Sequence, residues 1–179
     1  MLRIWNKRRI PGVLGVIALA ALSACDADWA IHFVSYEQYS ASEATVAVLY
    51  KPMPLVVLGN PTTVSDGALT TAVAEGLQGS HIVHDTIFKP SGPGELHPYR
   101  TVIAFGAVGQ ADICATAAGS VPAGQTQMMN AAFCRGSEAL SYLQSRIGTV
   151  SNLTASSFQK HVQAVGLQLF PSKNPNTDR

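Results

Sequence analysis

A chain of 179 residues, 47% apolar and 13% charged, can bury a sizeable core and is not disordered by composition. Four of its twelve basic residues fall within the first 24 positions. The 155 residues from Cys25 to Arg179 therefore hold eight basic against eleven acidic residues, a net charge of −3. With Lys and Arg scattered singly, that balance argues against binding a nucleic-acid phosphate backbone, and the length fits one domain.

Arg3, Lys7, Arg8 and Arg9 form a cationic start with no acidic residue among them, and an apolar run follows from Val13 to Leu22. A positive flank, a short hydrophobic segment and small residues before a cut are the parts of a secretory signal peptide. The ten-residue run falls well short of the roughly 20 apolar residues a membrane-spanning helix needs. Arg8-Arg9 invites a twin-arginine reading, but Ile10-Pro11-Gly12 does not continue that pattern. The run ends in Leu22-Ser23-Ala24-Cys25, which resembles the lipobox of bacterial lipoproteins. The resemblance implies removal of residues 1–24, acylation of the Cys25 thiol, and a lipid-anchored domain facing the periplasm. Each buried methylene contributes about 0.8 kcal/mol, so several acyl chains hold a domain on a membrane. Asp26 beside that cysteine implies, by likeness to enterobacterial lipoproteins, retention in the inner membrane.

Residues 25–43 read as the lipidated cysteine and a tether, 44–171 as a single domain, and 172–179 as a flexible polar tail. Trp29, Phe33, Tyr36 and Tyr39 make the tether too aromatic for a plain linker, so these rings are expected to pack as a first strand or turn. Thr45–Tyr50 and Leu55–Leu58 are short, apolar and β-branched, and read as strands broken by Lys51-Pro52-Met53-Pro54. A helix is predicted from Ser65 to Gln78, with Thr63, Ser65 and Asp66 as competent caps and Gly79 as its stop. Residues His81–Phe88 read as a strand, Lys89–Pro98 as a proline- and glycine-rich loop, and Tyr99–Phe105 as a buried strand. Met128–Cys134, the turn Arg135-Gly136-Ser137 and Glu138–Ile147 are predicted to form a hairpin. Phe158, Val162, Val165 and Leu169 recur at helical spacing, with Thr154 or Ser156 as cap, Pro171 as stop, and Gly166 weakening the interior. This order predicts an α+β fold: a small two-layer sandwich, its sheet mostly antiparallel, with two helices on one face. Together with Gly59-Asn60-Pro61, the Tyr99–Phe105 strand and Ala131–Gly136, it resembles uncharacterised envelope lipoproteins.

Cys114 and Cys134 are an even pair in a chain predicted to be exported, and the loop between them has the Gly and Pro content of a segment that needs a staple. They lack Cys-x-x-Cys spacing and a nearby histidine, so a disulfide is expected over a redox pair or zinc site. His81, His84 and Asp85 are the densest set of potential ligands, and His97 could join them through the loop. On a strand, positions 81 and 84 point to opposite faces, which argues against a metal site. No Gly-x-Ser-x-Gly elbow, P-loop or other cofactor motif is present, and no cofactor is expected. Arg100 and Arg135 are expected to anchor loops or edge strands through ion pairs. The favoured expectation is a non-enzymatic component of the cell envelope, held at the membrane and contacting an envelope protein. The alternative is a small ligand- or metal-binding lipoprotein, or a hydrolase, using His81, His84, Asp85 and His97.

Overall fold

The computed structural model describes residues 29–49, 52–78, 80, 86–95, 97–115 and 127–176. The leader, Cys25, and the His81, His84 and Asp85 cluster lie outside the described residues. The chain runs β1 (Ala30–Ser35), α1 (Ala41–Val48), β2 (Met53–Leu58), α2 (Asp66–Gln78), β3 (Phe88–Pro90), β4 (Tyr99–Phe105), α3 (Gln110–Ile113), β5 (Met128–Arg135), β6 (Glu138–Arg146) and α4 (Ser156–Leu169).

Six strands form one sheet in the order β1-β6-β5-β4-β2-β3. The pairs β1–β6, β6–β5 and β5–β4 are antiparallel, while β4–β2 and β2–β3 are parallel, so the α+β sandwich is built on a mixed sheet. The parallel part follows from α2, which carries the chain from the end of β2 back to the start of β3, as parallel neighbours require. Pro54 stands one residue before the β2–β4 register begins at Leu55↔Thr101, where no N–H is asked of it for that ladder. The hairpin β5–β6 closes through Gly136-Ser137, and Gly136 takes φ +57, a conformation that glycine adopts without a Cβ penalty.

The two long helices share one face of the sheet. Leu69, Val73 and Leu77 of α2 and Phe158, Val162, Val165 and Leu169 of α4 pack over Met53, Leu55, Ile103, Met129, Phe133 and Leu143. Gly76 and Gly166 sit at the α2–α4 contact: a Cβ on Gly76 would lie 2.7 Å from Val162 Cγ1, and one on Gly166 would lie 2.5 Å from Ser80 Cβ. Gly166, expected to weaken its helix, is thus what lets the two helices approach. On the opposite face Val56, Val102, Ala104 and Ala132 are covered by Val108, Ile113 and Cys114. Burial on both faces explains why β4 and β5 read as nearly continuous apolar runs.

Three expectations change. Of the expected strand Thr45–Tyr50, the residues through Val48 belong to α1, whose Ser40 cap accepts from Glu43 N and whose Thr45 hydroxyl donates to Ala41 O at 2.9 Å. Ser40-x-x-Glu43 with Ala41, Ala44 and Ala47 outweighs the β-branched run. The tail read as flexible is held at Asn174: the stretch before α1 packs as its rings predicted, carrying β1 as a first strand, with Tyr36 and Tyr39 buried. Their hydroxyls donate to Gln168 O and Pro171 O, both at 2.7 Å, and Asn174 Nδ2 donates to Tyr39 O at 2.8 Å, so the segment after Pro171 is pinned at least there. Neither Thr154 nor Ser156 caps α4. The N-cap is Ala155 without a side-chain bond, and Asn152 Oδ1 instead accepts from Thr154 N just upstream.

The strand registers define two ends of the sheet. Ala30, Arg146, Met128, Phe105 and Leu58 stand at one; Glu138, Arg135, Tyr99 and Met53 stand at the other, while β1 ends at Ser35 opposite Tyr142, halfway along β6.

Candidate functional site

The second of those ends carries a surface groove of about 530 Å³. Its walls come from Val46 of α1, Pro52 and Pro54 around the start of β2, Pro90 of β3, and Pro98 and Tyr99 at the start of β4. Proline rings have one backbone torsion fixed, so this apolar surface is largely formed before anything touches it. Val46 is 67% exposed, a large apolar side chain left to water at the groove. Lys89, Ser91, Glu95 and His97 supply the polar rim. Tyr99 is fixed from its far end: its hydroxyl donates to Glu43 Oε1 at 2.9 Å, and that carboxylate pushes the phenol pKa up. Arg135 Nη1 donates to the same oxygen at 2.9 Å while its Nη2 donates to Glu138 Oε2 at 2.7 Å. Arg135 thus forms the ion pairs expected of it and ties α1 to the hairpin.

His97 is the one member of the expected histidine set inside the described residues. Its Nε2 lies 3.1 Å from Ser91 Oγ and 3.2 Å from Glu95 Oε2. A serine, a histidine and a carboxylate are together, but they are not wired for nucleophilic catalysis. A triad needs the acid on the imidazole nitrogen remote from the serine. Here both groups meet the same nitrogen, and Ser91 Oγ donates to Glu95 at 2.8 Å. Glu95 also accepts from Gly92 N at 3.0 Å, and this bond first, then those from Ser91 and His97, holds its carboxyl down to about 2. Such a carboxylate is a poor base at neutral pH. The cluster fastens the turn from Ser91 to His97 against the groove. Among the described residues no three His, Cys, Asp or Glu side chains converge on a metal position.

Cys114 and Cys134 stand at disulfide distance, with Cα atoms 5.7 Å apart. Beside them Arg100 is 5% exposed and donates to the backbone carbonyls of His97 and Cys114; its Nε has no hydrogen-bond partner among the described residues, and burial lowers its pKa. Arg100 therefore anchors two loops, through carbonyls rather than the carboxylate expected. The Gly59–Thr63 loop, which leads from β2 to α2, is closed on itself. Asn60 Oδ1 accepts from Thr62 N at 2.9 Å, and Asn60 Nδ2 donates to Asp66 Oδ1 at 2.8 Å, which places a carboxylate where an anion would sit.

The groove was not singled out from the sequence, because its residues come from four segments that only the fold assembles. The one local signal was the density of prolines at 52, 54, 90 and 98. No protein-family model matches this chain, no curated protein is similar to it, and no solved structure matches it.

Proposed function

We propose that this chain is an exported, lipid-anchored domain and acts as a non-enzymatic interaction or assembly component of the bacterial cell envelope. The observation that carries the reading is Leu22-Ser23-Ala24-Cys25 directly after a cationic start and a ten-residue apolar run. The paired Cys114 and Cys134 support an oxidising compartment. The groove supplies a contact surface with a preformed apolar wall, the kind of centre on which interfaces depend. On the rim Glu95 and His97 are turned on each other, whereas Lys89 makes no ion pair among the described residues. The partner that fits is an extended apolar segment of an envelope protein with a carboxylate opposite Lys89.

The test is in-cell photo-crosslinking from Val46, with Val64 and Leu167, both exposed elsewhere, as controls. The expected result is one envelope protein captured from Val46 alone, with capture lost in Lys89→Glu and in unprocessed Cys25→Ala. Equal capture from the controls, or a Cys25→Ala chain that is still cut and acylated, would overturn the reading.

A further inference from the structure

We infer that the link between Cys114 and Cys134 governs the polar rim of the groove through Arg100, so that the turn carrying Glu95 and His97 is fixed only in the oxidised chain, while the apolar wall is formed in either state. The functional meaning of this rests on the groove being the contact surface of an exported domain, and it adds how that surface is regulated.

Arg100 and Cys134 are register partners on β4 and β5, so a bond from Cys134 brings Cys114 over Arg100. The guanidinium then spans two loops. Its Nη2 donates to Cys114 O, and its Nη1 donates to His97 O at 3.3 Å. His97 passes the hold to the rim, since its Nε2 meets Ser91 Oγ and Glu95 Oε2. The other end of this turn is fixed by Ser91 N, which donates to Leu55 O at 2.8 Å, so Arg100 supplies the second fixed point. The neighbouring wall is held by other means. Gly136 N donates to Pro98 O at 2.9 Å, and Tyr99 pairs with Arg135 and bonds Glu43. Wall and rim are adjacent in sequence but answer to different parts of the fold.

Without the disulfide, Ile113 still packs in its apolar cluster and keeps α3 nearby. Apolar contact is non-directional, and it does not hold a carbonyl within hydrogen-bonding reach of a guanidinium. Arg100 is buried, its Nε has no partner among the described residues, and none of their carboxylates pairs with it. Loss of Cys114 O leaves a buried charge with a single acceptor, a costly state that movement towards water relieves. That movement releases His97 O and frees the turn. Oxidation reverses it by exchange: the two thiols pass two electrons and two protons to an external disulfide, which becomes two thiols. The rim is therefore set when the chain enters an oxidising compartment.

The test is amide hydrogen exchange on the full mature chain in detergent. Three forms are compared: the oxidised chain, Cys114→Ser with Cys134→Ser, and Arg100→Met with the disulfide intact, an exchange of charge for shape that buried ionic sites tolerate. Gly92 N, which donates to Glu95 Oε1, and Glu95 N, which donates to Gly92 O, report on the rim; Gly136 N reports on the wall. Both rim amides should exchange about tenfold faster in either variant, the size of one lost charge-assisted hydrogen bond, and Gly136 should change by less than about twofold. Unchanged rim amides in either variant, or equal acceleration at Gly136, overturn the coupling. Photo-crosslinking from Val46 that captures no partner, with the exchange contrast intact, overturns the interaction reading instead.

Discussion

At the scale of single residues, His161 shows how a polar group is tolerated inside the core. It is 7% exposed, its Nε2 lies 3.1 Å from Ser145 Oγ, and the Trp29 ring stands edge-on with centroids 5.2 Å apart. Burial disfavours the imidazolium and pushes the pKa down to about 4. An unfolded histidine titrates near 6.5. As the pH falls from about 6.5 towards about 4, the unfolded chain takes up a proton that the folded chain refuses, so stability declines through that window by about 2–3 kcal/mol. Above pH 6.5 both states are neutral there and the residue adds no slope. Denaturant unfolding at stepped pH should show this decline in the native chain and a shallower one in His161→Gln. A ring-proton titration placing His161 near 6.5 would refute it. Thr101 is the opposite case, a fully buried hydroxyl whose Oγ1 has no hydrogen-bond partner among the described residues. Removing an unsatisfied polar atom without changing shape relieves its desolvation, so Thr101→Val should raise stability by about 1 kcal/mol. A loss of stability in that variant would mean the hydroxyl has a partner.

At the scale of elements, the sign of a glycine substitution should depend on what the missing Cβ would meet. Gly67 opens α2 with nothing within 4 Å, so Gly67→Ala should stabilise by about 0.5–1 kcal/mol through helix propensity alone. Gly76→Ala and Gly166→Ala should each lower stability by about 1–3 kcal/mol, since overpacking the α2–α4 contact outweighs the same propensity gain. Three denaturation curves measure all three, and stabilisation by Gly166→Ala would mean the helices part at no cost. The same contrast marks what the sequence made legible. Local signals sufficed for α2, β4, the β5–β6 hairpin with its Gly136, and α4, because period and turn residues act within a few positions. They misled at α1, where Thr45-Val46-Ala47-Val48 has strand composition but Ser40 caps a helix three residues ahead of Glu43. The parallel pairing of β2 with both β3 and β4 is a choice among distant partners, and no short-range pattern encodes it. The groove was hidden for the same reason, and its prolines read only as breaks between strands.

At the scale of the whole molecule, the proposed export and the cysteine pair make one joint prediction, that the domain reaches its full stability only in an oxidising compartment. Two supports hold the face opposite the long helices: α3 with Val108 packing on Val102 and Ala104, and the link from Cys114 to Cys134 on the strand β5. Arg100 adds a donor to the Cys114 carbonyl, but a hydrogen bond does not shorten the unfolded chain. A covalent link across a sequence separation of 20 does, and in the chain-entropy model it contributes about 3 kcal/mol. The large core beneath α2 and α4 contains neither cysteine, so the reduced protein should still fold. A chain lacking residues 1–24, made in a reducing cytosol, is therefore expected to carry three reduced thiols, Cys25 together with Cys114 and Cys134, and to be folded but less stable by about 2–4 kcal/mol. The same domain recovered after export should have no free thiol at Cys114 or Cys134 and should lose that increment on reduction. Thiol alkylation with mass measurement, paired with denaturant titration of both preparations, reads both quantities. An exported protein whose two cysteines alkylate without prior reduction would separate the leader from the bond and remove the oxidising compartment from the argument.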